Sequence, residues 1–108
     1  MSRLSETLER LAVTIAARKG ADPATSYTAQ LLADRGRAAK KLAEEAVETA
    51  LAAVSQDADA VAAESADLIY HWLVLMAATG VDLDAVAAKL QAREGTSGLA
   101  EKASRSSS

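Results

Sequence analysis

No cysteine occurs in the chain, which excludes disulfides, thiolate metal sites and thiol nucleophiles. Phenylalanine is absent too, Pro23 is the only proline, and aromatic residues amount to 3% of the sequence. The large rings that usually dominate a small core are therefore scarce. No basic run exceeds two residues and the net charge is −3, which argues against a nucleic-acid-binding face. Histidine occurs once, at His71, and no Glu-x-x-His motif is present. A di-iron carboxylate bundle, which needs two such motifs, is the weaker reading on that ground. The first residues, "MSRLSETLERLAVTIAARKG", lack the long apolar run and small-residue cleavage site of a secretion signal. The longest nearly apolar stretch, about a dozen residues holding Asp67 and His71, reads as too short to span a bilayer. Together these absences predict a cytoplasmic protein with neither a membrane nor a nucleic acid as partner.

What is abundant is alanine, 27 of 108 residues. Alanine has the highest helix propensity and lets helix axes approach closely, so the composition predicts an all-α bundle. It also buries little area per residue, and a domain of this size buries only about 65% of its unfolded-chain surface. A single copy would have a thin core, and we expect the bundle to be completed by a second copy, as a homodimer or higher homo-oligomer.

Apolar Leu4, Leu8, Leu11 and Ile15 recur at helical spacing and predict a first helix to about Arg18, stopped by Gly20. After the loop "GADPATS", "SYTAQLLAD" reads as a short helix opened by Ser26 or Thr25 and closed near Gly36. A long helix is expected from about Arg37 to Val54, a fourth from about Ala58 to Thr79 ended by Gly80, and a short fifth one capped by Asp82. Residues 1–94 form one domain in this reading. Residues 95–108 are a polar Gly/Ser-rich tail whose end is expected to be disordered.

Two stretches carry the candidate chemistry. In "KKLAEEAVE", Glu44, Glu45 and Glu48 fall within one arc of about 100° of the third helix, with Lys41 inside it and Arg37 close by. Ala43, Ala46, Val47, Ala50 and Val54 lie on the other side. Alone, that pattern fits an ordinary surface helix with its charges in solvent. In "ESADLIYHWLVLMAA", apolar side chains point in nearly every direction, as in a buried helix, yet Glu64, Asp67 and His71 share one stripe. An unpaired buried carboxylate costs several kcal/mol, so facing acid stripes need protons or cations between them. Oxygen donors with a single imidazole suit a hard ion, Mg²⁺ or Mn²⁺, better than zinc. Such an ion bridges to substrate phosphates, which points to phosphoanhydride chemistry. Lys40, Lys41 and Arg37 can neutralise phosphate oxygens, or else pair along the helix with Glu44 and Glu45.

With "EEAVE" and "ESAD" separated by 15 residues, the chain resembles the MazG-like all-α nucleoside triphosphate pyrophosphohydrolases. The flanking "SYTAQLL", "KKLAEEAVE", "ADLIYHWLVLMAATGVDLDAV" and "REGTSGLAEKASR" resemble the phosphoribosyl-ATP pyrophosphohydrolase family within it. The resemblance implies Mg²⁺-dependent hydrolysis of phosphoribosyl-ATP to phosphoribosyl-AMP and pyrophosphate, the second step of histidine biosynthesis, by a homodimer. It implies metal binding by Glu45, Glu48, Glu64 and Asp67, with Glu44 or Glu45 as the catalytic base. Ala43 and Trp72 stand where many relatives carry glycine and an aliphatic residue. The zinc-using enzyme fused to some relatives has no counterpart in a chain without cysteine. For His71 a core position and a substrate contact are both open. Ser26 and Thr28 are candidate phosphate contacts, against simple helix capping by Ser26. Two other classes fit the same sequence: a housecleaning pyrophosphohydrolase for non-canonical nucleotides, and a helical interaction module without catalysis.

Overall fold

The computed structural model describes residues 2–95, and the tail expected to be disordered lies, from Thr96 onward, outside the described residues. Five helices follow one another: α1 (Arg3–Ala17), α2 (Tyr27–Leu32), α3 (Arg35–Ser55), α4 (Ala58–Thr79) and α5 (Leu83–Gln91). No strand occurs among the described residues. Each helix begins where a short polar side chain accepts a backbone N–H of the first turn: Ser2, Ser26, Asp34, Asp57 and Asp82 in order. Such a cap stabilises a helix by about 1 kcal/mol. At the far end of α4, Gly80 takes φ 73°, a left-handed conformation that costs any other L-residue free energy.

One junction differs from the sequence expectation. The second helix ends at Leu32 rather than near Gly36, and the third starts at Arg35 rather than Arg37. The Asp34 carboxylate, accepting from Arg37 N–H at 3.1 Å, begins α3 early and leaves Gly36 inside its first turn.

Residues 56 and 57 connect α3 to α4, so the two long helices form an antiparallel hairpin, each about 32 Å long. Arg35 Nη2 donating to the Ala78 carbonyl at 3.4 Å, and Thr49 Oγ1 to the Glu64 carbonyl at 3.1 Å, mark its register. Helices α1 and α2 pack on α4. The fully enclosed core of Ile15, Leu31, Ala38, Leu73 and Val74 sits there, with Trp72 and Leu75 packed against it.

The inward stripe of α3 runs through Ala38, Glu45 and Ala52, all buried. The small alanines let α4 come close, and a glutamate sits between them. The apolar side of α3 faces out instead: Val47, Leu51 and Val54 are 58%, 57% and 83% exposed. Within one copy α4 is also incompletely covered, with only His71, Leu73 and Val74 buried. At 22 residues this helix is long and apolar enough to cross a bilayer, contrary to the sequence estimate. It nonetheless carries Asp59, Glu64 and Asp67 and is the helix on which α1, α2 and α3 pack, which makes it the core helix of the bundle.

Candidate metal centre

Turning α3 acid-side inward brings Glu45 and Glu48 to Glu64 of α4. A carboxylate oxygen from each lies within 4.8 Å of the others. Glu45 is only 7% exposed, Glu64 is half-buried and Glu48 is exposed, so the group closes on the hairpin interior and opens to solvent at one side. Glu45 Oε2 and Glu64 Oε2 are both shielded from water and have no hydrogen-bond partner. Two orphaned buried acceptors at one spot are costly unless protons or a cation reach them.

The electrostatics agree. The Glu45 carboxyl is pushed above its ordinary value by burial first, then by the charge and hydrogen bonding of Glu48 and the charge of Asp67, with His71 pulling the other way. Burial is also the largest cause for Glu64, whose value is raised further by hydrogen bonding with Glu48 and by the charges of Glu48, Glu45 and Asp67. Burial and crowded like charges thus disfavour the ionised form of both groups, and a cation among them would relieve that cost. Three oxygen donors without sulfur or nitrogen fit a hard divalent ion that keeps water on its open side.

Asp67 is exposed and stands outside this compact trio, acting on it through its charge. Glu44 is also outside, with its side chain 45% exposed and paired to Lys41 at 3.3 Å. Lys41 reaches Glu45 as well, at 3.8 Å. Its ammonium is raised above the usual lysine value, chiefly by the hydrogen bond to Glu44, then by the Tyr27 hydroxyl and the glutamate charges. Lys40 is exposed. Arg37 donates to Gln30 Oε1 at 3.1 Å and lies over the Tyr27 ring, 5.8 Å from its centroid.

His71 is buried beside the trio rather than in it. Its Nδ1 meets the backbone carbonyl of Asp67 at 2.7 Å, and its Nε2 meets the Tyr27 hydroxyl at 3.3 Å. Ser26 caps α2, accepting from Ala29 N–H at 3.1 Å, while the Thr28 hydroxyl bonds that of Tyr70. Two contributors were missed in the sequence. Thr49 Oγ1 lies 2.8 Å from the Glu45 carbonyl and 3.1 Å from that of Glu64, tying the backbones of two acids together across the hairpin. A hydroxyl one turn after Glu45 in an alanine-rich helix was the available signal. The other is Tyr27, within "SYTAQLL", whose hydroxyl meets His71 from 44 residues away, a contact that no local spacing signals.

Residues 8–94 match the family model described as phosphoribosyl-ATP pyrophosphohydrolase. The phosphoribosyl-ATP pyrophosphatase of Caulobacter vibrioides strain NA1000 is 73% identical over 103 residues, covering 95% of this chain and 96% of the relative. That of Caulobacter sp. strain K31 is 71% identical over 107 residues, 99% of this chain and 100% of the relative. That of Parvibaculum lavamentivorans is 59% identical over 106 residues, 97% of each.

Proposed function

The chain belongs to the phosphoribosyl-ATP pyrophosphohydrolase family, and we propose that it hydrolyses phosphoribosyl-ATP to phosphoribosyl-AMP and pyrophosphate in a cytoplasmic histidine-biosynthesis step. The observation that carries this reading is the trio of Glu45, Glu48 and Glu64 with its two orphaned buried oxygens. Those residues hold Mg²⁺, with Mn²⁺ as a substitute, and Asp67 adds negative charge at the rim. When bound, the ion neutralises phosphate oxygens and makes the α-phosphorus more electrophilic.

The chain's own side chains do the rest. Lys41, kept charged by Glu44, offers its ammonium to the departing phosphates. Glu44 is solvent-accessible and is not one of the three converging donors, so we assign it the proton of the attacking water. Water adds to the α-phosphorus, the bond from that phosphorus to its bridging oxygen breaks, and the β- and γ-phosphates leave together as pyrophosphate. A helical module without catalysis would leave the orphaned buried oxygens without a purpose.

The exposed apolar face of α3 adjoins this site: Ala43, Glu44, Val47 and Glu48 line one hollow. Covering Val47, Leu51 and Val54 with a second copy would remove apolar surface from water beside the acid trio. We therefore read the working form as a homodimer.

The test is product analysis with phosphoribosyl-ATP and Mg²⁺. Intact pyrophosphate is expected, and EDTA should stop its release. Orthophosphate as the first product would refute the mechanism. Preference for dUTP or an oxidised nucleotide would keep the chemistry but reassign the enzyme to housecleaning.

A further inference from the structure

Phosphoribosyl-ATP is ATP with one additional ribose 5-phosphate on the six-membered ring of its purine. Its two phosphate-bearing arms leave the base on opposite sides, so three carboxylates and their ion cannot hold both. The second arm needs a separate cation whose charge is not already neutralised by a protein carboxylate.

Arg37 has those properties. Its guanidinium is held by neutral groups: the Tyr27 ring below it, and Gln30 Oε1, to which Nη1 donates at 3.1 Å. Gln30 is anchored in turn, its Nε2 donating to the Pro23 carbonyl at 2.8 Å. Among the described residues the ion pairs near this site are those of Lys41 with Glu44 and Glu45, and no carboxylate lies within ion-pair distance of Arg37. A guanidinium has five N–H donors, so the anchors orient the fork and leave donors for a phosphate.

The position also suits a second arm. Arg37 precedes Glu45 by eight residues on the same helix, about 12 Å along its axis. Tyr27 connects the two places. The Asp67 carbonyl can only accept, so His71 Nδ1 donates to it, and Nε2 on the other side of the ring meets the Tyr27 hydroxyl at 3.3 Å. The ring that supports Arg37 is thereby fixed to the helix that carries Glu64.

We propose that Arg37, held by Tyr27 and Gln30, binds the 5-phosphate of the substrate's second ribose and is the residue that separates phosphoribosyl-ATP from ATP. The inference rests on the reaction proposed above. Its test compares wild type, Arg37→Gln and Arg37→Lys by kcat/KM on both nucleotides with Mg²⁺, and by titration of ribose 5-phosphate in EDTA. Losing hydrogen bonds to a charged phosphate should lower kcat/KM for phosphoribosyl-ATP roughly 10- to 100-fold in Arg37→Gln, mostly through KM. The preference over ATP should fall by the same factor, metal-independent binding of ribose 5-phosphate should be lost, and Arg37→Lys should recover part of each. Equal losses on the two nucleotides would overturn the proposal by placing Arg37 on the triphosphate. Undiminished ribose 5-phosphate binding in Arg37→Gln would overturn it too. A wild-type enzyme inert on phosphoribosyl-ATP would instead overturn the reaction itself, and is told apart because no variant enters that comparison.

Discussion

Glu45→Gln separates the two roles of the acid trio, since the amide keeps the size of the side chain and removes its charge. Two unit charges 4.8 Å apart repel by about 3.5 kcal/mol at an effective dielectric of 20. Glu48 is exposed, and solvent screening on that side reduces the gain from neutralising Glu45 to about 1–2 kcal/mol. In EDTA at pH 7.5 the variant should therefore melt higher than wild type, by roughly 4–8 °C per kcal/mol for a domain of this size. The advantage should shrink as pH falls, for a definite reason. The folded pKa values of Glu45 and Glu64 are raised, so between the ordinary carboxylate range and those raised values the folded state holds more protons than the unfolded one. Stability from these groups is thus fully present below the unfolded pKa and is lost as pH rises through the folded pKa. Wild type should gain on mild acidification while Glu45→Gln gains less. With Mg²⁺ the order reverses: wild type is stabilised by the ion, and the variant loses most of that shift and more than about 100-fold in activity. Thermal unfolding by circular dichroism at fixed chain concentration measures the stability shifts, and pyrophosphate release measures the activity. A metal-free variant that melts at or below wild type, and is stabilised by Mg²⁺ as strongly, would refute the argument.

Two further changes address the rest of the fold. Val47→Glu combined with Leu51→Glu puts charges on the exposed apolar face of α3; sedimentation at micromolar concentration should show a dimer for wild type and association weakened more than about 100-fold in the variant, and a wild-type monomer would refute the assembly. Gly80→Ala adds a methyl group that meets nothing within 4 Å, so its expected cost of about 1–2 kcal/mol comes from the left-handed backbone alone; a melting temperature equal to that of wild type would show that the C-terminus of α4 relaxes without strain.

Much of the site was legible because helix formation and capping are local. The start of α4 at Asp57 and its end at Gly80 follow from side chains within one turn of each boundary. Asp34 escaped notice as a cap because Gly36, two residues later, carries the stronger stop signal; the competition is decided by whether the Asp34 carboxylate reaches the Arg37 N–H. His71 stayed ambiguous for a different reason. Its position on the acid stripe of α4 is local, but its partner Tyr27 lies 44 residues away on α2.

By itself the sequence determined the number of helices, the caps Ser26 and Asp82, the Gly80 stop and which acids share a face, since these depend on neighbouring residues and on spacing along a helix of fixed pitch. It did not determine which face of α3 turns inward. A charged stripe opposite an apolar one normally points to solvent, and only the packing of α3 on α4 shows Glu45 buried between Ala38 and Ala52 while Val47 and Val54 face out. That inversion brings Glu45 and Glu48 to Glu64 on the paired helix, an arrangement set by tertiary contact between residues that are 16 or more positions apart in the chain.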